Sequence, residues 1–269
     1  MTDSDLADVV AEYHRELVRR LVDVLDGRLL GVYAAGSVGL RDFDATRSDL
    51  DVFAVARGAV TAVEKEMIVA RIRHEALPCP ARGLEFVLYP EQTARVPTAE
   101  AGFLLNLNTG PAVGFRVDRE PGEVERHWFP IDRAIVRQSG RPLFGPPARS
   151  LFAAIPRWML RPVVRESLLW HRSAGHSGDD DAVLNACRSL RWLREDVWSS
   201  KVEAGQWALA RTPQPELVSR ALASRRTGKD LGRATVEAFL DSVISEVDRA
   251  QLLQSPPPVE TSESVRPDW

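Results

Sequence analysis

Three acidic side chains occupy positions from which they could act together. Asp49 and Asp51 are two residues apart in a segment predicted to be a strand, so both carboxylates project from the same face. Two carboxylates on one face suit Mg²⁺, which completes its octahedral shell with waters and substrate phosphates. Glu85 interrupts the otherwise apolar segment 84–89, where a buried carboxylate without a partner is unfavourable. This pattern predicts metal-assisted phosphoryl or nucleotidyl transfer: Asp49 and Asp51 hold the metal, and Glu85 takes the proton of the acceptor.

A Gly-Ser pair, Gly36 and Ser37, follows the first predicted strand. The backbone N–H groups of such a turn and the serine hydroxyl can hold phosphate oxygens, so the pair and the carboxylates together predict a nucleoside triphosphate site. Each feature also has a structural explanation. A Gly-Ser pair after a strand is usually only a turn, and Asp-x-Asp is usually a solvated strand face. Glu85 lies either on an exposed edge or towards a cation or a reacting hydroxyl.

The elements that must position these residues form an α/β pattern in the N-terminal half. Asp3 is a plausible N-cap of the first helix, and Gly27 a plausible stop. The second helix is predicted to have an apolar face of Val60, Val63, Met67 and Ala70. The predicted elements are helices over residues 3–26 and 60–76, and buried strands over residues 29–35, 49–55 and 83–89.

The rest of the chain divides into a proline-rich middle and a helical end. Prolines interrupt residues 90–150, for which we predict only one further element, over 129–136. From Leu151 onward helical periods dominate and predict a bundle, whose core we expect Trp158, Trp192, Trp198 and Trp207 to fill. We therefore predict an α+β fold. Its expected parts are an α/β domain over 1–150, a helical domain over 151–253, and a disordered tail over 254–269.

Composition restricts the classes of partner. The chain has 269 residues, 35 basic and 38 acidic side chains and a net charge of −3, so no global field favours DNA. No segment approaches the roughly 20 apolar residues of a membrane span, and the acidic N-terminus lacks the basic region of a signal peptide. We expect a cytoplasmic monomer that binds neither DNA nor a membrane. Cys79 and Cys187 are too few for a disulfide framework or a tetrahedral zinc site.

The motifs resemble a known family. Gly-Ser, then Ser-Asp-x-Asp, then a carboxylate on a later strand resembles the signature of the nucleotidyltransferase (polymerase-β-like) superfamily. The segment 182–209, with Asn185-Ala186-Cys187-Arg188 and the Lys-Val-Glu-Ala-Gly-Gln-Trp-Ala run that starts at Lys201, resembles the C-terminal domain of the streptomycin/spectinomycin adenylyltransferases. The resemblance covers roughly residues 25–250. It implies that the chain adenylylates a hydroxyl of a small-molecule acceptor, with Mg²⁺ as cofactor, ATP as co-substrate and pyrophosphate as product.

The resemblance also implies a role for individual residues. Asp181 is equally well explained as an N-cap of the helix that follows it. The implied nucleotide-binding residues are Gly36, Ser37, Ser48, Asp132, Asp181 and Lys201; the metal ligands are Asp49 and Asp51; the general base is Glu85; and the acceptor-binding residues are Trp170 and Asp179.

Two positions depart from the family. Arg226 stands where the family has a tyrosine near the nucleotide, which leaves the contact with the base or sugar open. Residues 172–178 differ from the family's acidic, proline-containing loop, which leaves the acceptor open. Within this reaction class, an aminoglycoside and an unrelated metabolite are both possible acceptors. Outside it, the alternatives are a non-catalytic nucleotide-binding regulatory protein, and a transferase that acts on RNA or protein.

Overall fold

The computed structural model describes residues 3–122, 124–173 and 179–252. The strands are β1 (Leu29–Ala34), β2 (Leu50–Ala56), β3 (Leu84–Pro90), β4 (Leu105–Thr109), β5 (Arg116–Asp118) and β6 (Arg141–Phe144). The helices are α1 (Asp3–Leu25), α2 (Gly36–Gly39), α3 (Ala62–Ile72), α4 (Glu91–Arg95), α5 (Trp128–Ser139), α6 (Ala148–Leu151), α7 (Arg157–Arg172), α8 (Asp179–Glu195), α9 (Lys201–Ala208), α10 (Pro215–Thr227) and α11 (Arg233–Leu252). A mixed sheet is thus followed by helices only, which confirms the predicted α+β fold class.

The strands form one sheet in the order β5-β4-β3-β2-β1-β6. The central pair β2 and β3 is parallel, whereas the other pairs are antiparallel. In the parallel pair Asp51 is the register partner of Glu85. The two predicted strands therefore bring these carboxylates side by side in the middle of the sheet.

Helix α1 packs against this sheet, as its periodicity predicts. Leu17, Leu21 and Leu25 are fully buried in the same apolar cluster as the central strands. Gly27 is not the residue that ends the helix: the chain leaves it through a 3₁₀ turn, and Asp26 takes the positive φ of 46°. Asp can adopt this conformation at a small cost, so the stop does not need the glycine. The side chain of Asp3, the predicted N-cap, lies outside the described residues.

The predicted apolar face of the helix at 60–76 is wrong. Helix α3 spans Ala62–Ile72 and buries Ile68 and Ile72, while Val63 is 69% exposed and Met67 39% exposed. Apolar residues lie on more than one side of this helix, so a three-four spacing fits two faces equally well. Packing against α1 and the sheet buries the face that carries Ile68 and Ile72 instead of the predicted face.

The proline-rich middle contains regular structure at positions where proline is tolerated. The predicted element over 129–136 is α5, with Pro130 in its first turn, where the missing N–H has no partner to lose. Pro142 lies on β6, at one edge of the sheet. Sequence periodicity misses β4, β5 and β6 because they are short.

The helical half has its own apolar core, to which α5 contributes Ile131 and Ile135. Trp192 and Trp198 stack in this core with ring centroids 5.3 Å apart, as predicted, and Trp207 packs on its margin. The prediction for Trp158 is wrong, because this residue at the start of α7 is 48% exposed. The boundary at 150/151 stays a prediction, and the tail over 254–269 lies outside the described residues. Within the described ranges, no helix has the length and apolar character needed to cross a membrane.

Candidate active site

The acidic centre is built by β2 and β3. Asp51 and Glu85 are register partners whose side chains share a hydrogen bond, and Asp49 lies immediately before β2 rather than on it. All three are half-buried, while Leu50, Leu84 and Phe86 beside them are fully buried. The strands thus point their apolar side chains into the core and hold the carboxylates at its surface, where a ligand can reach them.

The crowding of these carboxylates changes their protonation. Burial, reinforced by the charge of Asp49, raises the pKa of Asp51 to about 6. Burial and the neighbouring Asp51 raise the pKa of Glu85 well above its usual value. Asp132 on α5 joins the group, because burial and the charge of Asp51 raise its pKa to about 7. Repulsion between the carboxylates makes this centre a site that a cation would stabilise.

A short turn of helix, α2, closes over Asp51. Gly36 has a φ of 49°, and a Cβ added to it would overlap Oδ2 of Asp51, so only glycine fits there. The hydroxyl of Ser37 is buried and has no hydrogen-bond partner in the described part of the chain. The predicted Gly-Ser turn is therefore a single helical turn, whose first N–H groups have no partners within the helix.

The donor set fits a magnesium ion that shares its shell with a phosphate. Oδ1 of Asp49 is buried and has no hydrogen-bond donor among the residues that the structure describes, so it is an acceptor open to a ligand. Among the described residues no group of three or more His, Cys, Asp or Glu side chains could hold a metal ion by itself. Asp49 and Asp51 with waters and phosphate oxygens would complete an octahedral shell.

Cationic side chains face this centre from the helical half. Nζ of Lys201, at the start of α9, lies 2.5 Å from Oδ1 of Asp181, and Nη1 of Arg225 lies 3.9 Å from the same oxygen. Although burial acts to raise the pKa of Asp181, the Lys201 charge and hydrogen bond keep it below its usual value. Asp181 lies in the first turn of α8, two residues after its start, so its contacts are those of an ion-pair partner rather than of an N-cap.

Arg188 is a residue to which sequence reasoning gave no role. Its guanidinium donates from Nε to the carbonyl of Ser199 at 3.0 Å, and its charge acts on Asp132, Asp181 and Asp51. Burial lowers the pKa of Arg188, as expected of a cation held inside the protein. The signal that could have pointed to Arg188 is its position directly after Ala186 and Cys187, which are buried in α8.

An aromatic cluster adjoins the charged centre. The rings of Trp128 and Trp170 meet edge to face at 4.9 Å, with His127 and His171 beside them. Burial lowers the pKa of His171 to about 4, and the charges of Asp181 and Lys201 also act on it. This influence indicates that the cluster lies near the ion pair. The side chain of Asp179, the other predicted acceptor-binding residue, lies outside the described residues, as does that of Arg226.

A cavity of about 410 Å³ opens between the loop before β2 and the helices α9 and α10. Ser48 forms part of its wall, and the Ser48 hydroxyl accepts a hydrogen bond from the backbone N–H of Asp44 at 3.2 Å. Arg47, Gln206 and Arg225 line the same space. Ser48, the residue before Asp49, therefore borders a cavity whose wall carries both basic groups and the carboxylates of Asp42 and Asp44.

Two comparisons with known proteins agree with this geometry. Residues 150–251 match the family model of the aminoglycoside adenylyltransferase C-terminal domain. The chain is similar to this family over less than half of its length. Its fold matches a crystal structure of spectinomycin adenyltransferase AAD(9) from Enterococcus faecialis with ATP and spectinomycin, at a TM-score of 0.65 and 17% identity. That match covers 88% of this chain and 98% of the other. No curated protein matches the chain at significant similarity.

The fold gathers most of the predicted site residues, although their roles stay predictions. Gly36, Ser37, Asp49, Asp51, Glu85 and Asp132 surround the acidic centre. Asp181 and Lys201 pair opposite it, and Ser48 borders the adjacent cavity. The match to the C-terminal domain agrees with the resemblance that the segment 182–209 showed in the sequence.

Proposed function

We propose that this nucleotidyltransferase transfers the adenylyl group of ATP to a hydroxyl of an aminoglycoside. The observation that carries the proposal is the pairing of Asp51 with Glu85 across parallel strands, under a glycine that leaves room for the carboxylate. Three carboxylates beside a phosphate-binding turn are what nucleotidyl transfer requires. The family match in the C-terminal half supports the aminoglycoside as acceptor class.

The nucleotide is held from both halves of the molecule. We assign Asp49 and Asp51 as ligands of a magnesium ion, which would act as a Lewis acid on the phosphates when bound. Ser37, whose hydroxyl has no partner within the protein, and Ser48 at the adjoining cavity would donate to phosphate oxygens. Lys201 would exchange part of its contact with Asp181 for a phosphate oxygen.

Glu85 is assigned as the general base. Burial and the charge of Asp51 raise its pKa, so Glu85 holds a proton more readily than an exposed glutamate does. A bound cation would favour the ionised form of Glu85, which is the form that can accept a proton. It would take the proton of the acceptor hydroxyl, whose oxygen then bonds to the α-phosphorus of ATP. The bond from that phosphorus to the bridging oxygen of the β-phosphate breaks, and pyrophosphate leaves with the electron pair.

The aromatic cluster is the candidate acceptor surface. Trp170, already implied by the family resemblance, stands against Trp128 in a half-buried pair that can stack on an apolar sugar face. Glu166 lies near it, 4.0 Å from Nδ1 of His127, and adds a carboxylate that a cationic amino sugar could meet. Arg126 also contacts Glu166, so the carboxylate is already partly neutralised.

The proposal is tested by pyrophosphate release from Mg-ATP with spectinomycin, streptomycin and a panel of other hydroxyl compounds. We expect release with an aminoglycoside in the parent, and at least a hundredfold less in Glu85→Gln with Mg-ATP binding retained, because only the proton acceptor is lost. Equal turnover in that variant would refute the base assignment. Release only with an acceptor that is not an aminoglycoside would move the function to another metabolite.

Calorimetry with and without magnesium tests the metal ligands separately. Asp49→Asn keeps the shape of the side chain but removes one anionic oxygen. We expect the magnesium-dependent part of ATP affinity to fall at least tenfold, because Mg²⁺ prefers carboxylate ligands. Unchanged affinity would exclude Asp49 as a ligand.

A further inference from the structure

A second cavity, of about 710 Å³, lies outside the proposed active site, at the β6 edge of the sheet. One stripe of α1 forms a wall, with Leu6, Val10 and His14 at helical spacing. The opposite wall is β6 and the segment after α2. The full lining is Leu6, Ala7, Val10, Ala11, His14, Arg15, Ala34, Val38, Arg41, Phe43, Arg141, Pro142 and Leu143.

The charge of the cavity has one sign. Arg15, Arg41 and Arg141 lie among the lining residues, and none of the described lining residues is acidic. Arg15 is paired with Glu12 at 2.5 Å, whereas neither Arg41 nor Arg141 has an ion pair with any described residue. Two exposed guanidinium groups at an otherwise apolar cavity favour an anionic ligand.

His14 supplies a second polar group inside the cavity wall. It is only 6% exposed, and its buried Nε2 has no hydrogen-bond partner within the described ranges of the chain. Burial and the nearby Arg141 lower the pKa of His14 to about 4, so the ring is neutral near pH 7. Buried polar atoms in native proteins nearly always have a partner, so this nitrogen is a candidate contact for a bound molecule.

From these observations we infer that the cavity binds a small amphipathic monoanion, a carboxylate on an apolar body. The apolar body would lie against Val10, Val38 and Leu143, and the carboxylate would meet Arg41 and Arg141. The volume lies within the range of small-molecule sites, which are mostly apolar with a few oriented polar groups. This site is independent of the proposed adenylyl transfer, because it shares none of the residues assigned to that reaction.

The test is titration of the full chain with sodium octanoate, followed by calorimetry and by methyl NMR of Val10 and Leu143. Sodium acetate and octyltrimethylammonium chloride are the comparison ligands. We expect saturable octanoate binding. Acetate should bind at least tenfold more weakly because it lacks the apolar body, and octyltrimethylammonium should do so because it lacks the negative charge. Absence of octanoate binding, or equal binding of the cation, would overturn the inference.

Variants locate the binding. We expect the double variant Arg41→Gln/Arg141→Gln to weaken octanoate binding at least tenfold. Ala11→Trp, at an exposed position on the cavity wall, should block octanoate binding. The controls are Arg249→Gln and Ala70→Trp, which introduce the same residue types at exposed positions elsewhere and should leave the octanoate affinity unchanged. Full affinity in the cavity variants, or competition between octanoate and Mg-ATP, would refute the site.

Discussion

Replacing Asp51 with asparagine should stabilise the protein while weakening its binding of Mg-ATP. The folded state holds this carboxylate at a pKa of about 6, against 3.8 for the ordinary side chain. The folded state therefore binds more protons than the unfolded state between these two values. By linkage, this group lowers the free energy of unfolding as the pH rises from about 4 to above 6.

The size of the effect follows from the two pKa values. A difference of about two pKa units, at about 1.4 kcal/mol each, corresponds to about 3 kcal/mol above pH 6. Solvent screening at this half-buried position reduces it, so we expect Asp51→Asn to raise the free energy of unfolding by about 1 to 3 kcal/mol at pH 8. At about pH 4 the carboxyl is already neutral in the folded state, and most of the difference should vanish.

Urea unfolding at the two pH values, with EDTA present, measures this difference. Asp8→Asn, an exposed position on α1, is the matched control and should change little at either pH. Saturating Mg-ATP should stabilise the parent, by about 2.7 kcal/mol at a concentration 100 times Kd, and stabilise Asp51→Asn much less. The reasoning is refuted if Asp51→Asn is no more stable than the parent at pH 8, or if its gain is the same at both pH values.

Two further substitutions test the elements proposed to bind phosphate. Gly36→Ala should abolish activity and lower stability, because the added Cβ would overlap Asp51 and the φ of 49° disfavours a side chain. Thermal unfolding and turnover measure these effects. The control is Gly114→Ala, because the added Cβ there has nothing within 4 Å. A Gly36→Ala enzyme with normal kcat/KM would contradict the close approach. Lys201→Met should raise the KM for ATP at least tenfold. The variant removes the cation that pairs with Asp181 and that we propose to contact a phosphate oxygen of ATP. Steady-state kinetics measures this KM, and an unchanged value would contradict the assignment of Lys201 as a phosphate contact. Lys201→Arg should restore part of the affinity for ATP.

The motif residues could be predicted because the chemistry is encoded locally. The two-residue spacing of Asp49 and Asp51 defines one face of an extended segment, and an acid within 84–89 contradicts the apolar pattern around it. Long helices such as α1 have enough periodic positions to be recognised without any tertiary contact. The sequence alone thus determined the α+β class and the residues of the acidic centre.

Contacts between residues distant in the chain were decided only by the tertiary structure. The parallel register that sets Asp51 beside Glu85, and the approach of Arg188 and Asp132 from the helices α8 and α5, depend on how the sheet and helices pack. Packing also decided which face of α3 is buried, because its apolar residues fit two faces and only the neighbouring surface distinguishes them. Local patterns fix residue spacing along the chain, whereas the pKa values and ion pairs of the site arise from distances that only the folded chain defines.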